Sequence, residues 1–592
     1  MRRPLALSVI ACLMAGAALA QTALRFEADG ASDGLRAALL AASRSRAIST
    51  EPDTPAQDIV AAARSDYARL LAVLYEYGYF GPEISIRVNG REVAGLSPFQ
   101  PVTSVQAIAI TVDPGRAFRL GQAEIAPLAP GTILPPGFAS GEPAGTRVLR
   151  QAAEAGIDAW RGAGHATAAI SGQQITARQQ EAVLDADIAL APGPVFQFGA
   201  LIPQGAARMR TDRIARIAGL PEGAQFNPET LTRVADRLRE TGVFSSVGLS
   251  EVPRPVTTAV DIQADLVEAP LRRLGFGAEI ASQDGLSLSG YWLHRNLWGG
   301  AERLRFDAEV SGLGGEDGGF DGLLGMRFSR PADLTPDTTL GFGLQIEHLD
   351  EVLYTADSLE ADLGLTHRFS DSLTGDLAVM AQVWDIRDAF SERRVTMLAL
   401  PATFVWDSRD APFDAARGWY GETGLTPFTM FEDGAGLRLT ADLRGYRGFG
   451  PDDRTRIAAR LQLGSVDGGD ITAMPPDWLF FSGGAGTVRG QSYQSLGAVQ
   501  GGVATGGRSY LGASLELRQD LMGDFGAAAF ADFGLISTDA WGAGASDWQA
   551  GAGLGLRYDT PIGPIRLDVA TPVSGDGAGR DLFFYLGIGQ SF

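Results

Sequence analysis

Pro476 to Gly497 reads PDWLFFSGGAGTVRGQSYQSLG. Aromatics (Trp478, Phe480, Phe481) open the stretch, glycines follow, and a lone arginine, Arg489, sits between Val488 and Gly490. The stretch lies deep inside a region of alternating apolar and polar residues, so it joins two strands. A connection this long inside a compact domain is functional or disordered, and its aromatics argue against a plain flexible linker. The expectation is a loop that folds back into a β-barrel and is held there by Arg489.

Working outward, Leu271 to Phe592 divides into strand segments such as Arg303–Gly312, Leu437–Arg447, Tyr510–Arg518 and Gly526–Leu535, separated by Gly, Asp, Asn and Pro. About sixteen segments at about 20 residues each, connection included, suit an outer-membrane barrel, and an even number returns both ends to one side. In the last strand, read as Leu582–Phe592, Phe584, Leu586, Ile588 and Phe592 share one face, interrupted only by Gln590. Gly587, Gly589 and Ser591 take the other face. A soluble β-sandwich is the rival fold, and it would have to hide many apolar faces from water.

An arginine in a barrel lumen keeps its charge, and its planar fork seeks carboxylates. Asp532 in Phe530–Gly534 (FADFG) and Glu516 between Leu515 and Leu517 are the candidate partners. Each is a charge inside an apolar strand pattern, which is expected to face inward and be paired. Asp532 lining a wet channel is the alternative.

The first half has a different texture. Three times an amphipathic helix ends near glycine and an alternating strand follows: about Ala56–Tyr77, about Thr146–Trp160, and a helix begun by Asn227-Pro228. Pro114-Gly115 leads to Phe118 and Gly121, and Pro192-Gly193 leads to Phe196 and Gly199 at the same offsets. Such a repeat describes a row of small α+β modules, each exposing a sheet edge where another strand can pair.

The 592 residues include 76 glycines and only 20% charged residues, a balance that suits strands and turns. A formal charge of −21 argues against nucleic acid as a partner. The lone cysteine is Cys12, and the four histidines lack ligand spacing. With no nucleophile elbow or phosphate loop either, the reading is a non-enzyme that uses no metal or cofactor. Arg2 and Arg3 precede an apolar run ending in Ala18-Leu19-Ala20, the pattern of a secretory signal over residues 1–20. Val9 to Cys12 loosely resembles a lipobox, but the apolar core continues past Cys12. No later apolar run is long enough for a membrane helix, which leaves a soluble exported chain or a closed barrel.

Several motifs then occur in one order: the modules, Trp406–Phe413 (WDSRDAPF) with Arg417-Gly418, Val488-Arg489-Gly490, and Phe530–Gly534. Together they resemble the Omp85 superfamily. Within it, Asp559–Asp568 and Phe584–Gly589 are similar to the late hairpin and final strand of the TamA branch. The resemblance implies three POTRA modules of βααββ type, over residues 21–117, 118–194 and 195–269. It implies a 16-stranded antiparallel transmembrane barrel over 270–592 in the bacterial outer membrane, with the modules in the periplasm. Asp407, Arg409, Asp410 and Gly418 become a barrel motif. Gly275, Gly277, Gly587, Gly589 and Phe592 mark a lateral gate between the first and last strands, where glycine weakens pairing. The function implied is insertion or translocation of outer-membrane and autotransporter clients, with a TamB-like partner anchored in the inner membrane. A two-partner-secretion transporter, lipid transport to the outer membrane, and a passive channel or tether are the alternatives. One departure concerns the triplet Val488–Gly490, which an aromatic follows in the superfamily and Gln491 follows here.

Overall fold

The computed structural model describes residues 23–49, 54–96, 102, 104–254, 256–281, 285–314, 319–560, 563–574 and 578–592. The signal sequence read over 1–20 lies outside them. The chain forms two compact units. The first reaches Gly199 and takes in Glu222–Thr230 and Glu251–Asp261, and the second comprises Ala200–Pro221, Leu231–Ser250 and Ile262–Phe592.

Three small sheets occupy the first half. In the first, Ala23–Ala28 pairs in parallel with Ala107–Asp113, and the helix Ala56–Glu76 buries Ile59, Ala63, Leu70 and Leu74 against it. The second holds the helix Thr146–Gly162 against Arg119–Ala126 and Val183–Ala191, with the exposed strand Ala169–Arg178 at the sheet edge. The third is built from Gln197–Gln204, Phe244–Pro253 and Ala259–Glu268, with helices Thr211–Ala218 and Pro228–Glu240. Asn227 accepts from the Glu229 amide at 2.8 Å, which starts the last helix.

Among the described residues a uniform βααββ unit is found only in the third module. The first carries three helices, Asp33–Ala42, Arg44–Ser49 and Ala56–Glu76. The second lacks a helix before Thr146, because Pro127, Pro130, Pro135, Pro136 and Pro143 remove the amides one would need. The junctions do repeat. The Phe118 amide donates to Gly78 O at 2.9 Å and the Phe196 amide to Gly164 O at 2.8 Å. Gly121 and Gly199 admit Asp185 and Asp261, each forked by an arginine seven residues earlier, Arg178 and Arg254.

The rest is one antiparallel sheet whose order follows the chain from Arg272–Ala281 to Phe583–Ile588. It has 17 segments. Two of them, Glu392–Ala399 and Ala402–Asp407, pair with the same two neighbours in unbroken register. They are one strand interrupted at Leu400-Pro401, where Pro401 and the facing Pro427 lack N–H groups. The described sheet therefore has sixteen staves. Its two end strands touch, but no ladder joins them among the described residues. Leucines and phenylalanines such as Phe276, Leu324, Leu363, Leu515, Leu554 and Leu586 are exposed on the outer face, as lipid contact requires.

Within the second unit the third module grips the barrel turns. Arg237 forks onto Asp337 with both bonds at 2.7 Å, Arg368 pairs with Glu240, and buried Arg213 donates to the Pro331 and Ala332 carbonyls.

Candidate functional site

Strands Thr455–Gly468 and Ser509–Asp520 are neighbours in the sheet, and the residues between them turn into the lumen. The loop's base packs by Trp478 against Phe428 and Trp384, at ring distances of 5.2 and 6.3 Å. Trp384 Nε1 also donates to Asp477 at 3.1 Å.

At the tip, Arg489 is 2% exposed. Its Nε and Nη2 fork onto Asp532 at 2.8 and 3.1 Å, and its own amide adds a third bond to the same carboxylate at 3.1 Å. Nη1 reaches Glu516 at 3.2 Å and Asp568 at 3.1 Å. The guanidinium carbon stands 3.5 Å from the centroid of the Phe530 ring, a desolvated cation–π contact. Both carboxylates singled out in the sequence meet the arginine, and Asp568 is a third.

Two further arginines complete the cluster. Arg518 Nε donates to Glu516 at 3.0 Å, and Arg557 bridges Glu516 at 3.0 Å and Asp568 at 2.5 Å. Guanidiniums and carboxylates are equal in number, three of each, and no side chain is more than 4% exposed. Buried charge is tolerated when it is paired, and in this cluster Arg518 Nη1 is the one guanidinium nitrogen left without a hydrogen-bond partner among the described residues.

Glycines let the loop lie flat on the wall. A Cβ at Gly551 would come 1.9 Å from the Arg489 carbonyl oxygen, and one at Gly534 would strike Ser482 and Val488. Gly490 has φ +92° and passes over the Thr571 backbone, and its amide donates to the Tyr585 hydroxyl at 3.0 Å. Val488 is fully buried. Where the superfamily has an aromatic, Gln491 donates to the Ala550 and Ser574 carbonyls. The loop thus bonds the staves from Ser509–Asp520 to Phe583–Ile588.

The last strand differs from its expected form. It ends at Ile588, and Gly589 turns the chain with φ +89°. Phe592 is therefore not on the lipid face with Phe584, Leu586 and Ile588. It is buried in the lumen beside Ala415, Tyr446 and Ala458. Ser591 donates to Glu516 at 2.7 Å, and the Phe592 carbonyl accepts from Arg518 at 3.2 Å. Gln590 bonds Arg557 and Asp414, which explains the break it makes in the apolar face.

The remaining predicted residues lie elsewhere. Arg409 forks onto Asp407 at 2.8 and 2.9 Å, and Asp410 accepts from the Ala416 amide. Gly418, at φ +106°, lets the chain pass within contact of Ser408 and Arg409. This group braces a turn and does not join the buried cluster. On the first strand, Tyr291 and Ser289 of the neighbouring strand lie over Gly275 and Gly277, so those glycines accommodate side chains rather than leave space. Gly587 lies under Arg566.

A sheet whose end strands meet, apolar outside and braced inside by a buried charged loop, defines an outer-membrane β-barrel preceded by POTRA-like modules. Residues 296–592 match the Omp85 superfamily domain, and the chain belongs to that superfamily. Outer envelope protein 80, chloroplastic, of Arabidopsis thaliana is 24% identical over 432 residues, 63% of this chain and 55% of that protein. The outer membrane protein assembly factor BamA of Nitratidesulfovibrio vulgaris is 23% identical over 442 residues, 70% of this chain and 53% of that protein. The chain spans about half the length of these curated relatives. The crystal structure of BamA from Haemophilus ducreyi lacking POTRA domains 1–3 has the same fold, with a TM-score of 0.61 and 16% identity over 80% of this chain and 100% of that one.

Proposed function

We propose that the chain helps insert or translocate outer-membrane clients, unfolded β-barrels and autotransporters, through the seam between Arg272–Ala281 and Phe583–Ile588. The observation that carries this reading is the seam itself: among the described residues the end strands touch without a ladder, and the last one is only six residues long. Its N–H and C=O groups can template an incoming strand. The bilayer offers no water to compete for those groups, so pairing needs no nucleotide.

The finer reading is a TamA-type factor working with a TamB-like protein anchored in the inner membrane. Its support is the set of three modules and the sequences of Asp559–Asp568 and Phe584–Gly589. Passage of lipids to the outer membrane through the same seam is the alternative reading. Cysteines placed at Gly277 and Gly587 test the proposal. Oxidation is expected to stop client assembly by the reconstituted chain, and reduction to restore it. Full assembly activity with the pair crosslinked would refute a lateral route.

A further inference from the structure

We propose that the outer wall carries a binding groove for an anionic phospholipid, on strands Gly418–Met430, Gly434–Phe449 and Thr455–Gly468. These strands lie in the middle of the sheet order, away from the seam. A depression of about 810 Å³ is set into them.

The register determines its floor and walls. Trp419 pairs with Gly445, and Gly445 with Ala459. Leu443 pairs with Leu461. The alternate residues face the lumen: Asp442 holds Arg444 and Arg460, and Tyr446 is buried. The small residues Gly445 and Ala459 therefore form a floor on the lipid side. A Cβ at Gly445 would stand 2.7 Å from the Trp419 ring, so the glycine lets the indole lie across that floor. A second depression of about 600 Å³, lined by Leu439, Ala441 and Leu463, continues along the same strands and extends the path for an acyl chain.

Two arginines line the first depression at its turn end, Arg417 and Arg447. This is the end at which the barrel's first strand begins, the level of phospholipid headgroups. Arg447 is exposed and stacks 5.8 Å from Phe449, and no carboxylate pairs with it among the described residues. Arg417 shares a 2.8 Å pair with Asp453 in which its own side chain is 68% exposed. Such a pair is weak and yields readily to a better anion. An arginine on the lipid face is costly unless it reaches the interface, where its fork binds phosphate. Trp419, 61% exposed, supplies the indole favoured at that depth. The headgroup sits on Arg417 and Arg447, and a chain runs over Gly445 and Ala459.

The test is native mass spectrometry of the full chain in detergent with added phosphatidylglycerol. The wild type is expected to retain phosphatidylglycerol about tenfold better than phosphatidylcholine, a difference of about 1.4 kcal/mol. The Arg417→Gln/Arg447→Gln double variant is expected to lose that preference. Ala459→Leu, which fills the floor and leaves both arginines, is expected to lose binding of both lipids. Heat-shifted gel mobility checks that each barrel is folded, and Ala459→Leu decides alone if the double variant is not. Equal retention of the two lipids by the wild type, or wild-type retention by the variants, overturns the proposal.

Discussion

Arg489→Ala removes a side chain that makes four hydrogen bonds to three carboxylates. Asp532, with its side chain 1% exposed, would keep only the amide of residue 489 from this set, and the cluster would hold three carboxylates against two guanidiniums. Breaking a buried pair by removing one partner costs about 3–5 kcal/mol. At about 1.4 kcal/mol per decade, the docked state of the loop weakens by about two to three and a half decades. Arg489→Lys keeps the charge but cannot fork onto Asp532 while reaching Glu516 and Asp568, so it should fall between wild type and alanine. The double variant Arg489→Met/Asp532→Asn should lose less than the sum of the single losses, since it leaves no orphan at that pair. The assays are the midpoint of heat-shifted gel mobility and protease cutting between residues 469 and 508. Wild-type behaviour of Arg489→Ala in both would refute the anchor.

Other expected outcomes follow from the same contacts. Gly551→Val should undock the loop without touching a charge, because the added Cβ meets the Arg489 carbonyl, and protease cutting within 469–508 should rise as in Arg489→Ala. Deleting Phe592 removes its carbonyl from Arg518 and its ring from Ala415 and Tyr446, and should lower the heat-shift midpoint while leaving the modules folded by circular dichroism. Burial alone would raise the Asp337 carboxyl, but the Arg237 fork, with Arg368 and His367 nearby, holds it below the usual carboxylate range. A depressed carboxylate stabilises the fold above its unfolded pKa of about 3.9, and that contribution is lost as pH falls through the lower folded value. Unfolding midpoints measured from pH 7 down to pH 2 should therefore fall less steeply in Asp337→Asn than in the wild type.

Much of the barrel was legible because alternation is a strong signal where one face meets lipid and the other does not. Arg489 stood out as a lone charge in a glycine-rich connection, and Asp532 and Glu516 as charges inside apolar strands. Arg518 and Arg557 carried that signal too: each is a charge flanked by strand residues of opposite facing, Arg518 two places from Glu516 and Arg557 between Leu556 and Tyr558. Asp568 falls in a hairpin pattern, and no local pattern tells which lumenal acid a distant loop will reach. Alternation carried past Ile588 predicts an outward Phe592, whereas the strand ends at Ile588 and Phe592 is buried. Gln590 was the hint, a polar residue on the apolar face, and Gly589 supplies the turn that period-two reading cannot see. The modules were legible through helix periodicity, but the missing helix in the second needed its prolines to be weighed as a group.

The lumenal loop has a mechanical consequence. Its root is wedged among Trp384 and Phe428 on one side of the cylinder, while its tip holds Glu516, Asp532, Asp568 and Tyr585 on the other. It is a cross-brace spanning a hoop, and a hoop so braced resists flattening into an oval. Any load that pulls the terminal stave outward is transmitted through Tyr585 and Asp568 to the far wall, so the rim can yield only by straining the brace or letting it go.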